Sequence, residues 1–271
     1  MEPTDNAEAA LEQAHALEAW SPAVSHLVHM SSHIYFRVGM WDRAVESSLP
    51  AVASDERLAR GCGHPYAPGH NVALLQHAAM RAGRRAEALR HAVPLAGMPE
   101  GFSSGFTGLF ALPSALVHAN FGAWDAILRE DGEVAVGEGG GGGGGELAEE
   151  ASAFVRATFH YTKGLAHANL GDSVNALKHL AALRRVDVPM GMVPAGHAFY
   201  GNHPEMAIMY GHILNAATMK GKEPRMRAME RALAIDDTFT YLEVSRACVR
   251  VRVLACLRSH AFPCASVRCF T

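Results

Sequence analysis

The sequence predicts an all-α fold built as a solenoid of about five helical hairpins. Three observations lead there. Alanine occurs 47 times in 271 residues, and alanine is the strongest helix former. A glycine followed five residues later by a small or apolar residue recurs as Gly39/Ala44, Gly83/Ala88, Gly122/Ile127, Gly171/Ala176 and Gly221/Met226. These glycines stand 44, 39, 49 and 50 residues apart, a period in the range of helical repeat arrays.

Each glycine separates two helical patterns. Residues 23–38 and 41–53 flank Gly39, and 71–82 and 85–96 flank Gly83. Residues 152–170 and 174–183 flank Gly171, and 205–220 and 224–235 flank Gly221. Apolar residues recur at helical spacing, as in Leu165 and Ala168, then Ala176, Leu177, Leu180 and Leu183. The glycine is expected to end the first helix in a left-handed cap. The small residue five later lets the second helix approach closely. Trp41 and Trp124 each follow their glycine by two residues and read as packing residues. The repeat domain spans 1–245. Within it, 131–147 holds seven consecutive glycines, Gly139 to Gly145, and reads as a flexible insertion. Residues 246–271 lack a helical pattern and carry four of the five cysteines. They are expected to form a poorly ordered tail.

Composition narrows the function classes. A net charge of −3, from 24 Lys and Arg against 27 Asp and Glu, excludes a strongly basic nucleic-acid binder. Hydrophobic content of 49% suffices to bury a core. No apolar run reaches eighteen residues, so no membrane span is expected. The N-terminal ten residues are polar and acidic, unlike a secretory signal. An odd cysteine count without a CxxC pair points to a reducing, cytoplasmic setting.

The sixteen histidines are the unusual feature, and some fall in register. His26 and His70 each lie thirteen residues before their glycine, His33 and His77 six before, and Arg37 and Arg81 two before. His26, His29, His33 and Arg37 step by three, four and four residues, which places them on one helix face. His70, His77 and Arg81 form the matching face of the next first helix.

The turn segments 37–44 (Arg-Val-Gly-Met-Trp-Asp-Arg-Ala) and 168–176 (Ala-Asn-Leu-Gly-Asp-Ser-Val-Asn-Ala) resemble the inter-helix turn of tetratricopeptide (TPR) repeats. The segment 26–39, His-Leu-Val-His-Met-Ser-Ser-His-Ile-Tyr-Phe-Arg-Val-Gly, is similar to a group of mostly bacterial TPR-type proteins of uncharacterised activity. So are His70-Asn71 leading into 78–83, and the segment 122–125. The resemblance covers roughly residues 19–243. It implies that the first helices line a concave surface, and that the His/Arg face lies on it.

Two functional readings stand beside a structural one, in which the histidines are partly buried polar residues. The first is a non-enzymatic interaction module. It binds a peptide or acidic ligand in a groove lined by His26, His29, His33, Arg37, His70, His77 and Arg81, through charge-assisted hydrogen bonds. This reading needs a protein or peptide partner and no cofactor. The second is a metal-binding protein or metal-dependent enzyme. His29 and His33, at i and i+4, would share a divalent ion with His70 or His77. No carboxylate lies in register with these histidines: Asp42 and Glu46 sit on the second helix, Asp55 and Glu56 at its end. The chain reads HMSSH rather than HExxH, so a zinc protease lacks its general base. The glycine run lacks the lysine and hydroxyl of a P-loop, and no GxSxG occurs.

Overall fold

A computed structural model describes residues 6–20, 24–61, 63, 69–92, 112–130, 146–188 and 203–236. These residues are helical throughout, with turns between helices and no strand among them. The chain divides into two compact units. The first holds a short 3-10 turn (Ala7–Ala10) and α1 (Leu11–Trp20), α2 (Ser25–Arg37), α3 (Trp41–Arg60), α4 (His70–Arg81) and α5 (Arg85–Arg90). The second holds α6 (Pro113–Asn120), α7 (Trp124–Arg129), α8 (Glu146–Asn169), α9 (Ser173–Leu183), α10 (His203–Thr218) and α11 (Lys222–Asp236).

The hairpins form as their glycines require. Gly39, Gly83, Gly122, Gly171 and Gly221 all have positive φ, between 68° and 90°. After the first helix the chain folds back so that the amide of Met40 donates to the Tyr35 carbonyl at 2.8 Å. Arg84 does the same to Ala79 at 2.8 Å, Ala123 to His118 at 2.9 Å and Asp172 to His167 at 2.9 Å. These bonds span six residues and satisfy carbonyls that the helix end leaves open. Five residues on, Ala44, Ala88, Ile127 and Ala176 are each fully buried, at 0% exposure. Met226, at the same place after Gly221, is only partly buried.

Packing runs between neighbours. In the first unit α2 packs on α1, α3 and α4, α3 on α4, and α4 on α5. In the second, α7 packs on α6 and α8, α8 on α6, α9 and α10, and α10 on α9 and α11. The N-terminal helix α1 was not legible as a repeat, but it closes the first unit. The fully buried Tyr35 ring lies 5.5 Å from His15 of α1 and 5.3 Å from the Arg43 guanidinium. Arg43 also pairs with Glu18 of α1 at 2.9 Å. That pair is half exposed and worth little by itself; burial of the aromatic ring carries the docking. In the second unit Lys163 of α8 donates to the carbonyls of Ile127 at 2.7 Å and Glu130 at 2.8 Å. It thereby caps the C-terminal end of α7, where a cation is favoured.

Three boundaries differ from the sequence reading. Helix α3 continues through the exposed Pro50 to Arg60, past the expected end at residue 53. Helix α5 ends at Arg90 rather than 96. Helix α8 starts at Glu146, so Glu146 and Leu147 belong to a helix and not to the glycine-rich insertion. The rest of that insertion and the tail 246–271 lie outside the described residues.

At Gly83 a Cβ would meet nothing within 4 Å, so the turn demands glycine for its φ of +76° and not for space. Gly83→Ala is therefore expected to destabilise the first unit by about 1 kcal/mol, the usual cost of a left-handed L-residue. Gly83→Asn should cost less, because asparagine tolerates that region. Urea unfolding followed by circular dichroism checks the order; equal losses in both variants would contradict it.

Candidate metal centre

Helix α2 presents His29 and His33 one turn apart, and α4 opens on His70, directly after the left-handed Gly69. The packing of α2 against α4 brings the three rings together. His29 Nε2 lies 2.8 Å from His33 Nε2 and 2.8 Å from His70 Nε2. One ligand atom from each residue lies within 4.8 Å of the others. The residues are 0%, 2% and 4% exposed.

This contact set has a valence problem. An imidazole nitrogen carries either one in-plane lone pair or one proton. His29 Nε2 can therefore complete one directed hydrogen bond, yet two nitrogens face it at hydrogen-bond distance. Its other nitrogen, Nδ1, is buried without a hydrogen-bond partner. Burial holds the His29 ring well below the usual imidazole pKa, helped by the neighbouring His33, His70 and His26. The ring is neutral near pH 7, with a lone pair to offer. Ligands about 2.0–2.1 Å from one tetrahedral ion stand roughly 3.3–3.4 Å apart, so an ion fits once the rings part by about half an ångström. Neutral imidazoles without thiolates suit first-row divalent ions such as zinc, cobalt, nickel or copper rather than magnesium or calcium.

The seven residues expected along a groove separate into three groups. His29, His33 and His70 converge and are buried, so they do not line a surface open to a peptide; the packing of α2 on α4 covers them. His77 does not join them, which corrects its place among the candidate ligands. It lies two turns along α4 from His70, about 10 Å by helical rise, and its Nδ1 donates to the Ala73 carbonyl at 2.8 Å. Burial pushes His77 down to about 4. His26, Arg37 and Arg81 are partly buried. The His26 ring stands 6.0 Å from His29 and 5.9 Å from His70, centroid to centroid.

Asp55, which lies out of register with the histidines, stands near this centre. Because α3 runs on to Arg60, Asp55 lies inside the helix rather than at its end. Asn71 Nδ2 donates to Asp55 Oδ2 at 2.6 Å. Asp55 also interacts with Ser25 and lies within electrostatic reach of His26, while burial raises its carboxyl above the ordinary range. The sequence signal that could have found it was Asn71, a polar residue beside His70 that is itself only 2% exposed. Ser31 and Ser32 have structural tasks. They donate to the Val28 and His29 carbonyls of their own helix, and Ser31 meets Ser47 of α3 at 2.6 Å.

A second histidine group occurs in the other unit. His160 Nδ1 of α8 and His179 Nδ1 of α9 are 3.1 Å apart. His167 stacks on His179 at 5.5 Å and its Nδ1 meets Asp172 at 3.0 Å. Here each named nitrogen has one partner, and the rings are partly exposed.

Comparison of the chain with known protein families, with characterised proteins and with solved structures returns no match.

Burial first, then His160, His167 and Lys163, pushes His179 down to about 4. Unfolded histidine binds its proton near 6.5. Between those values the unfolded chain holds more protons, so stability rises with pH. The second unit is expected to keep this contribution above about pH 6.5 and lose it as pH falls toward 4. His179→Gln should flatten the change in urea midpoint between pH 7 and pH 5. An unchanged slope in that variant would count against the assignment.

Proposed function

We propose that the chain is a TPR-like helical repeat protein whose first unit binds a divalent first-row metal ion through His29, His33 and His70. One observation carries the metal reading: His29 Nε2 faces two other imidazole nitrogens at 2.8 Å in a buried site, a contact set that a shared cation satisfies and protons do not. The repeat reading is supported by the recurring left-handed glycine, the buried residue five later in four of the five hairpins, and the packing of successive first helices, α2 on α4, α6 on α8 and α8 on α10. The arrangement favours metal over a peptide groove because the imidazoles the groove would use are covered.

The ion would act as a clamp. α2 and α4 belong to successive hairpins, and shared coordination ties them at the point where apolar side chains would otherwise meet. Binding to the folded state alone stabilises it by about 2.7 kcal/mol when free metal is a hundredfold above Kd. The tag-free chain, stripped with chelator and titrated with zinc, is expected to take up an ion in this unit and to unfold at higher temperature. His33→Ala with His70→Ala should abolish that uptake and the shift in Tm, while His160→Ala with His179→Ala should preserve both. Elemental analysis and thermal unfolding check this. Uptake that survives the first double substitution, or no uptake by the unaltered chain, would overturn the proposal.

A further inference from the structure

We propose that His26 is the fourth ligand of this centre and that Asp55, braced by Asn71, is its outer-sphere partner, making a closed four-imidazole site. The inference rests on the three-histidine reading above and goes beyond it in ligand number, in outer sphere and in the kind of metal site that results.

Geometry comes first. His26 is one turn before His29 on the face of α2 that carries His29 and His33. Four imidazoles holding one tetrahedral ion at about 2.05 Å place their ring centres roughly 5.2 Å apart. The three converged rings already stand at 4.5 Å (His29–His33), 4.4 Å (His29–His70) and 5.5 Å (His33–His70). His26 stands at 6.0 Å from His29 and 5.9 Å from His70. From those two rings it is less than 1 Å outside the expected spacing; it lies two turns from His33 on α2, so binding all four requires the His26 ring to swing along the helix toward His29 and His70.

The outer sphere comes second. Imidazoles that bind metal ordinarily hand their other nitrogen to a carboxylate, carbonyl or water, which fixes the ring and raises its basicity. Asp55 lies within electrostatic reach of His26, and its Oδ1 is buried with no hydrogen-bond partner, an acceptor open to an imidazole N–H. Its position is held by Asn71 at 2.6 Å, and Asn71 directly follows the ligand His70 in the chain. The brace thus links α3 to the first turn of α4, and through Ser25 to α2. Asp55 also supplies a negative charge beside a site that would otherwise bury a dication among neutral rings.

Burial comes third. Catalytic zinc sites keep a position open to water or substrate, whereas structural sites are closed by four protein ligands. His29, His33 and His70 are exposed by 4% or less, so the one approach to the ion is the side of the partly buried His26. A fourth protein ligand fits that enclosure, and the ion then serves structure rather than hydrolysis.

Cobalt reports ligand number directly. The full chain loaded with Co2+ is expected to show the intense visible bands of a tetrahedral ion, and X-ray absorption should give four nitrogen neighbours of imidazole type. His26→Ala should retain the ion with weaker affinity, replace one nitrogen by oxygen, and change the visible spectrum. Asp55→Asn should weaken binding about 10–100-fold while leaving four nitrogens. His26→Gln is a second variant should the alanine protein fail to fold. Three imidazoles plus water in the unaltered chain would overturn the inference alone, as would an unchanged spectrum in the His26 variants. Failure of the unaltered chain to bind cobalt or zinc would overturn the three-histidine reading and this one with it.

Discussion

Everything distinctive about the first unit depends on one buried nitrogen, His29 Nε2. It has a single in-plane orbital and two neighbours at 2.8 Å. Burying a polar group without its partner costs on the order of 1–3 kcal/mol, a sizeable fraction of a domain's net stability. A hairpin pair held only by apolar contacts would place leucine or alanine there, as α4 does next to it with Ala73, Leu74 and Leu75. Three imidazoles in that place are a poor choice for a metal-free core and a good one for a coordination centre.

The hairpin geometry delivers the site. The left-handed turn at Gly39 sends α3 back along α2, and fully buried Ala44 lets the two axes approach. Close approach makes room for α4 to lie against both. The length of α3 then matters: its continuation past residue 53 carries Asp55 to Asn71 and His26. Fold and centre are therefore coupled. A shorter second helix would leave the histidines without a carboxylate, and a looser turn would separate α2 from α4.

The helices and the turns between them were readable because their signals are local and repeated. Five glycines at one φ sign, and a buried residue at one offset, survive any uncertainty about single positions. The site was readable only in part. Register places His26 with His70 and His33 with His77, since each pair sits at the same distance from its glycine. Packing instead staggers the helices, so His70 meets His29 and His33, and His77 is carried two turns away to its own helix carbonyl. Distance from a turn states position along one helix and says nothing about the offset between two. Asp55 was placed at the end of its helix for a related reason: nothing in the composition of residues 54–60 marks whether the helix continues, and it runs on to Arg60. Lys163 is a third case, because its capping of α7 joins elements more than thirty residues apart.

Histidine content alone does not separate ligands from structural residues here, but counting valences does. His77 gives Nδ1 to a carbonyl, and His167 gives Nδ1 to Asp172. His118 Nε2 meets Glu130 at 3.3 Å, and His160 and His179 share one contact between two nitrogens. In each case one donor meets one acceptor, so a single proton completes the interaction and no ion is required. His29 Nε2 faces one nitrogen too many for that scheme. The same residue type thus serves as a helix-packing polar group in α8 and α9, and as the core of the proposed coordination centre in α2 and α4. The difference lies in how many nitrogens converge on one orbital and in whether water can reach it.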